Sequence, residues 1–252
     1  MFRTGRLRSR RQEEQVSVQA AKEEQRPMAW SLSYGERVYG WWGRHPLVYK
    51  ALMKFVTFGR DSQLRRRTAE ALDLSEGDTV LDLACGSGAN FGVLCQAVGE
   101  SGRVVGVDYS ESMLSAARNR AERGGWENVE LVRADAARNV FRDDSFDGAV
   151  CTMSMSAIPD HESAMRNARR SLKPNARLAV MDSADFGGLM RVLNPLVHLV
   201  FKYTTNWDYR KDVVGSLEDE FGNGNVSVEW YNSKSMYVAV ATHFRDEDDE
   251  SD

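Results

Sequence analysis

Asp82, Asp108 and Asp135 stand at or near the ends of three successive apolar runs, within "VLDLACGSGAN", "VVGVDYS" and "VRADAA". A carboxylate at a strand end can accept hydrogen bonds from a ligand's hydroxyl or amine groups. Two adjacent ribose hydroxyls suit Asp108, which lies 20 residues beyond Gly88. An exocyclic amine of adenine suits Asp135, and the backbone N–H of Ala136 can donate to a ring nitrogen. Gly86 and Gly88 follow the first run and precede a helical stretch, where glycine permits a turn that no β-carbon obstructs. Two glycines alone are weak evidence, since a tight turn is the other reading of them. The ligand class follows from their neighbours. A pyrophosphate loop usually carries a third glycine, whereas Phe91 occupies that position here. Asp82, four residues before Gly86, brings negative charge that repels phosphate but suits a sulfonium with an ammonium tail. Together these residues favour S-adenosyl-L-methionine as cofactor.

Short apolar runs alternating with amphipathic stretches must position such carboxylates. Strands are expected over residues 79–83, 103–107, 129–132, 146–151 and 176–182, with helices over 89–98, 110–123 and 161–172. That alternation predicts a parallel sheet with crossover helices. Ser110 suits a helix N-cap, with Glu111 in the first turn. "VSVEWYN" and "SMYVAVATHF", joined by the polar "NSKS", predict an antiparallel hairpin near the C-terminus. Residues 28–74 are rich in aromatics, and Leu64, Thr68, Ala71 and Leu72 recur at helical spacing, so they are expected to form an N-terminal helical cap.

A chain of 252 residues, 42% hydrophobic and 28% charged, can fill one core of catalytic size. Its formal net charge of −4 offers no basic field for nucleic acid. Cys85, Cys95 and Cys151 form no CxxC pair, a pattern of reducing, cytoplasmic proteins. No run has the length of a membrane span, which leaves peripheral contact with a membrane surface open. Residues 1–27, arginine-rich and then glutamate-rich, are expected to be a disordered tail, with a lipid- or nucleic-acid-binding arm as the alternative. Met28, at the start of foldable sequence, is a second plausible translation start. Residues 245–252 form an acidic tail.

"VLDLACGSGAN", "VVGVDYSESMLSAAR", "VRADA", "DDSFDGAVCTMSMSAIPD" and "ARRSLKPNARLAVMDS" resemble the class I, Rossmann-like methyltransferases over about residues 64–244. Within them, the closest resemblance is to the methyltransferase type 11 core of quinone C-methyltransferases and of small-molecule or phospholipid-headgroup enzymes. "FVTFGRDSQLRRR" is loosely similar to the quinone group's pre-core segment. The resemblance implies an α/β, three-layer, seven-stranded, mostly parallel sheet ending in an antiparallel hairpin, with the methyltransferase domain spanning 28–244 and its core 75–244. It places Asp82, Gly86 and Gly88 around the methionine part of the cofactor, Asp108 and Tyr109 at the ribose, and Asp135 with Ala136 at the adenine. Met153 and Ser154 would line the sulfonium and adenine side.

Methyl transfer needs positioning above all, and a base only when the acceptor must shed a proton. Asp160 and His161 are candidates for that base, although Asp160 also reads as the N-cap of the next helix. The stretch "TMSMSAIPD" departs from the pattern of enzymes that methylate nucleobase amines. The acceptor should be read by the cap and by an insertion over 186–215. Leu189, Val192, Leu193, Leu196, Val197, Val200 and Phe201 form an apolar stripe there, expected first as core packing and otherwise as a lid for a lipophilic quinone or lipid headgroup. Tyr39, His45, His198, Tyr203 and Trp207 are candidate acceptor-side residues, and Tyr34, Trp41 and Trp42 could join them in caging a cation or simply pack. His45 and His198 lack the partners of a metal site. Two other readings compete: a nicotinamide-dependent oxidoreductase, and a regulatory protein that binds the nucleoside without chemistry.

Overall fold

A computed structural model describes residues 32–138 and 141–244. The expected tails at 1–27 and 245–252 lie outside the described residues. The order of elements is α1 (Leu32–Arg44), α2 (Pro46–Val56), α3 (Asp61–Glu70), β1 (Thr79–Leu83), α4 (Phe91–Val98), β2 (Arg103–Asp108), α5 (Glu111–Gly124) and β3 (Val129–Arg133). It continues with β4 (Phe146–Thr152), α6 (His161–Ser171), β5 (Leu172–Ser183), α7 (Asn194–Thr204), α8 (Val213–Phe221), β6 (Val226–Tyr231) and β7 (Met236–Thr242).

The strands form one seven-stranded sheet in the order β3-β2-β1-β4-β5-β7-β6, with β7 antiparallel to both of its neighbours. β1, β2 and β4 are buried almost end to end, as strands covered on both faces must be. α4 and α5 pack Phe91, Leu94, Leu114 and Ala117 on one face. α6 and α8 pack Met165, Ala168, Leu217 and Phe221 on the other. Burying each large apolar side chain contributes about 1.5–3 kcal/mol. Leu64 of α3 joins Met181, Met236 and Val238 in a third cluster, which docks the cap on the sheet.

Local chemistry sets the ends of the elements. Ser110 caps α5, accepting a long hydrogen bond from the Met113 N–H at 3.5 Å, and Gly125 ends that helix in the left-handed region. Asp160 caps α6, its Oδ1 accepting from the Ser163 N–H at 3.1 Å. The chain passes from α6 into β5 at Leu172, earlier than the expected strand at 176, because Pro174 disfavours helix in the residue before it. α8, which no periodicity announced, is capped by Asp212 through the Gly215 N–H at 2.9 Å.

The apolar stripe of the insertion does not form core. Leu189, Val192, Leu193, Leu196 and Val200 are exposed, and Val197 and Phe201 are half-buried. The stripe has helical spacing, but the sheet face it would need is already covered by α6 and α8.

Candidate active site

The tips of β1, β2, β3 and β4 meet α1 around a cavity of about 630 Å³, part of it open to solvent. Gly86, Asp108, Tyr109, Asp135, Ala136 and Ser154 line it, as do Tyr39 from the cap and Asn206 from the insertion. Val107, Met113 and Ile158 give it apolar walls. No lysine or arginine is among its described lining residues.

Asp108 is buried at the floor. Its Oδ2 accepts from the Gly86 N–H at 2.9 Å and its Oδ1 from the Ser110 N–H at 2.8 Å. The carboxylate therefore holds the glycine turn against β2 and keeps lone pairs for a ligand. Burial pushes its pKa up to about 6. Asp135 Oδ1 accepts from the Ala137 N–H at 3.0 Å, fixing the turn that presents Asp135 and Ala136. The Tyr109 ring lies beneath α1, where a β-carbon on Gly35 would strike its hydroxyl. Glycine at 35 thus lets the cap close over the cavity.

The two glycines have different reasons. Gly86 takes φ +54 and borders open space, so a side chain there would enter the cavity. Gly88, at φ +72, sits on the ring of Phe91, which a β-carbon would strike. Phe91 is fully buried and also packs beneath Gly106, so it fills floor space rather than contacting ligand. Gly88→Ala is expected to cost about 2 kcal/mol or more, through strain and the collision, and to lower the urea midpoint of unfolding. Gly86→Ala should cost about 1 kcal/mol and spare the fold. Equal midpoints for wild type and Gly88→Ala would contradict this account.

Asp82 and Met153 are not among the described lining residues of the cavity. Asp82 is fully buried behind the loop, its Oδ1 accepting from Asn90 Nδ2 at 2.9 Å, and its Oδ2 is a buried oxygen with no hydrogen-bond partner among the described residues. Arg65 of α3 donates from Nη1 to Asn90 Oδ1 at 2.9 Å and to Thr152 Oγ1 at 2.5 Å. Burial pushes the Asp82 carboxyl up to about 7, although Asn90 and Arg65 pull it down. Asp82 therefore acts on the cavity through its charge and through Asn90. Met153, at φ +57, turns its side chain into the third core cluster, and only Ser154 of that pair lines the cavity. Arg65, Asn90, Thr152 and Asn206 escaped the reading of the sequence. The segment "FGRDSQLRRR" was the signal that held Arg65.

Asp160, His161, His45, His198 and Trp207 are not among the described lining residues of the cavity. Asp160 caps α6, and His161 Nε2 is 3.1 Å from Ser216 Oγ on α8. His45 is exposed at the joint of α1 and α2 and stacks on Trp41 at 4.2 Å. Trp207 is buried, next in the chain to Asn206. The side chain of Tyr203 lies outside those described. His198 is half-buried, and its Nε2 lies 2.6 Å from Asp185 Oδ1, just past β5. Its ring stacks on Tyr209 at 3.6 Å and faces Trp207 at 5.8 Å. Asp185 and Tyr209 were not foreseen.

The sequence model of the ubiE/COQ5 methyltransferase family matches residues 45–202. The chain belongs to that family. Among similar proteins, the demethylmenaquinone methyltransferase of Bacillus subtilis is 28% identical over 150 residues. That alignment spans 60% of this chain and 64% of the relative, so the chain covers under two thirds of that protein's length. The 2-phytyl-1,4-naphtoquinone methyltransferase of Synechococcus elongatus is 30% identical over 196 residues, 77% of this chain and 82% of the relative. Two solved structures share the fold: a SAM dependent methyltransferase from Aquifex aeolicus and a putative methyltransferase of Haloferax volcanii bound to the Trm112 activator. The first has TM-score 0.57 and 22% identity, covering 79% of this chain and 98% of that one. The second has TM-score 0.64 and 16% identity, covering 84% and 99%. The three-layer, mostly parallel sheet with its antiparallel C-terminal hairpin is the fold expected for the ubiE/COQ5 chain.

Proposed function

We propose that this ubiE/COQ5 protein transfers a methyl group from S-adenosyl-L-methionine to a lipophilic acceptor of the quinone type, working at a membrane surface. One observation carries the cofactor reading: Gly86, Asp108, Asp135 and Ala136 converge on a single cavity whose described lining includes carboxylates and no lysine or arginine. That set fits a cationic nucleoside and disfavours a pyrophosphate, which argues against a nicotinamide dinucleotide. The names of the relatives support the acceptor class. No helix of the described residues is long and apolar enough to cross a membrane, so a lipophilic acceptor would be met at the surface.

In this reading Asp108 accepts from the ribose hydroxyls, Asp135 from the adenine amine, and the Ala136 N–H meets a ring nitrogen. Asp82, behind the glycine loop, supplies negative potential toward the methionine end. The cofactor supplies an activated methyl group, so the protein's task is to orient the acceptor and remove one proton, because methyl replaces hydrogen. We assign that proton to His198. Asp185 holds one ring nitrogen, which leaves the other to take the proton. Tyr39 and Asn206 bring the cap and the insertion to the cavity, and Trp207, next to Asn206 in the chain, stands 5.8 Å from the His198 ring.

Titration calorimetry with S-adenosylhomocysteine tests the cofactor reading, and reduced nicotinamide dinucleotide serves as the competing ligand. Tight nicotinamide binding with no response to S-adenosylhomocysteine would overturn it. The pH dependence has a defined sign. Asp108 and Asp82 titrate near 6 and 7 in the protein alone, and a cationic donor binds their ionised forms. Affinity for S-adenosylmethionine is therefore expected to fall as pH drops from about 8 to about 5, by up to about tenfold per unit for each group. Binding near pH 6 should release protons, seen as a heat that varies with buffer ionisation enthalpy. Constant affinity across that range would contradict the assignment.

A further inference from the structure

The insertion leaves large apolar side chains in solvent: Leu189 is 95% exposed, Val192 80% and Leu196 61%, with Leu199 also exposed on α7. The cap does the same at Leu47, 81% exposed on α2, and at Phe58. A set of this kind marks an interaction surface. The two segments are fastened together. Tyr34 Oη donates to the Lys202 carbonyl at 2.8 Å, Trp42 Nε1 to the Thr204 carbonyl at 2.7 Å, and the Phe58 and Phe186 rings meet edge to face at 6.2 Å.

Charge decides among occupants. Residues 44–60 and 186–207 contain Arg44, Lys50, Lys54, Arg60, Arg191 and Lys202 and no aspartate or glutamate, in a chain whose net charge is −4. A second copy docking through the same face would oppose cation to cation. Anionic headgroups complement the cations while the acyl region receives the leucines and valines.

We infer that the face formed by the 188–200 segment and α2 docks this protein on an anionic lipid bilayer. The insertion that docks also carries His198 and Asn206. Docking therefore sets the acceptor side of the cavity at the lipid boundary, where an apolar tail can stay in the bilayer while its ring enters. The purpose of the face rests on the methyltransferase reading, but its test does not.

The test is sedimentation of the full chain with phosphatidylcholine vesicles, with and without phosphatidylglycerol, alongside the combined variant Leu189→Glu, Val192→Glu, Leu196→Glu. Wild type is expected to sediment with the phosphatidylglycerol vesicles, less so in high salt, and the variant to bind them at least about tenfold more weakly. Arg191→Glu with Lys54→Glu should remove the preference for phosphatidylglycerol. All variants should keep the wild-type circular dichroism and affinity for S-adenosylhomocysteine, since none of these residues lines the cavity. Failure of wild type to bind either vesicle, or equal binding by the leucine variant, overturns the proposal. So does a dimer, seen by light scattering, that the leucine variant dissolves. Vesicle binding without S-adenosylhomocysteine binding would sink the methyltransferase reading and leave the docking face standing.

Discussion

Asp108→Ala is expected to raise the dissociation constant for S-adenosylhomocysteine by about 100-fold or more. The Asp108 carboxylate does two jobs: it holds the Gly86 N–H at 2.9 Å, and in our reading it accepts from the ribose. Hydrogen bonds to an ionised group contribute about 1.5–3 kcal/mol each, and about 2.7 kcal/mol corresponds to 100-fold in affinity. Loss of fold is separable from loss of binding. The carboxyl has a raised pKa of about 6 against an ordinary 3.8, so ionising it costs the unoccupied protein stability as pH climbs from about 4 to about 6. Two units correspond to about 3 kcal/mol, an order-of-magnitude figure for a buried group. Asp108→Asn removes that penalty but can no longer accept from both the Gly86 and Ser110 amides. Its unfolding midpoint without ligand should stay near that of wild type, whereas the stabilisation by S-adenosylhomocysteine should vanish. Wild-type affinity in the alanine variant would remove the main support for the cofactor reading.

Asp108 was legible in the sequence because β2, a parallel strand buried on both faces, reads as an unbroken apolar run with one polar residue at its end, whereas Asp135 follows the half-buried edge strand β3 and was legible from its place after the third run. Succession of three such runs puts the edges side by side, as the pairings of β1 with β2 and β2 with β3 bear out. Met153 shows where adjacency misleads. It follows the tip of β4, but its positive φ rotates the side chain into the core while Ser154 takes the cavity. Arg65 was hidden for a different reason. It stands in a run of three arginines on a polar helix, and only the tertiary docking of α3 through Leu64 buries one of them against Asn90 and Thr152. The insertion's stripe misled in the opposite sense. Helical spacing of apolar residues reports a shared face, and what covers that face depends on which elements have already claimed the sheet.

Asn90 links these levels. As the residue before α4 it would ordinarily cap the helix with its side chain, yet it makes no cap hydrogen bond and turns inward to Asp82. The amide thereby partners a buried carboxylate that would otherwise stand alone, and it passes the position of α3 to the glycine loop through Arg65. Cap, loop and β4 are thus coupled by one polar cluster. The polar cluster therefore ties the glycine loop at the cavity to the position of α3 in the cap.

The second large effect is expected at His198. His198→Asn should lower kcat by about 100-fold to 10,000-fold, the usual contribution of a positioned base, while leaving the affinity for S-adenosylhomocysteine unchanged. The ring is supported on three sides: Asp185 Oδ1 at 2.6 Å from Nε2, Tyr209 stacked at 3.6 Å, and Trp207. Asp185→Asn keeps the ring but weakens its orientation and the stabilisation of its charged form, so a smaller fall of about tenfold or more is expected. His161→Asn is the control, since that ring lies at Ser216 on α8, away from the insertion that carries His198 and brings Asn206 to the cavity. If His198→Asn turned over at the wild-type rate, the proton would have to leave by another route. A protein that bound the donor with wild-type affinity yet methylated no quinone acceptor, even on vesicles, would instead be a nucleoside-binding member of the family without chemistry.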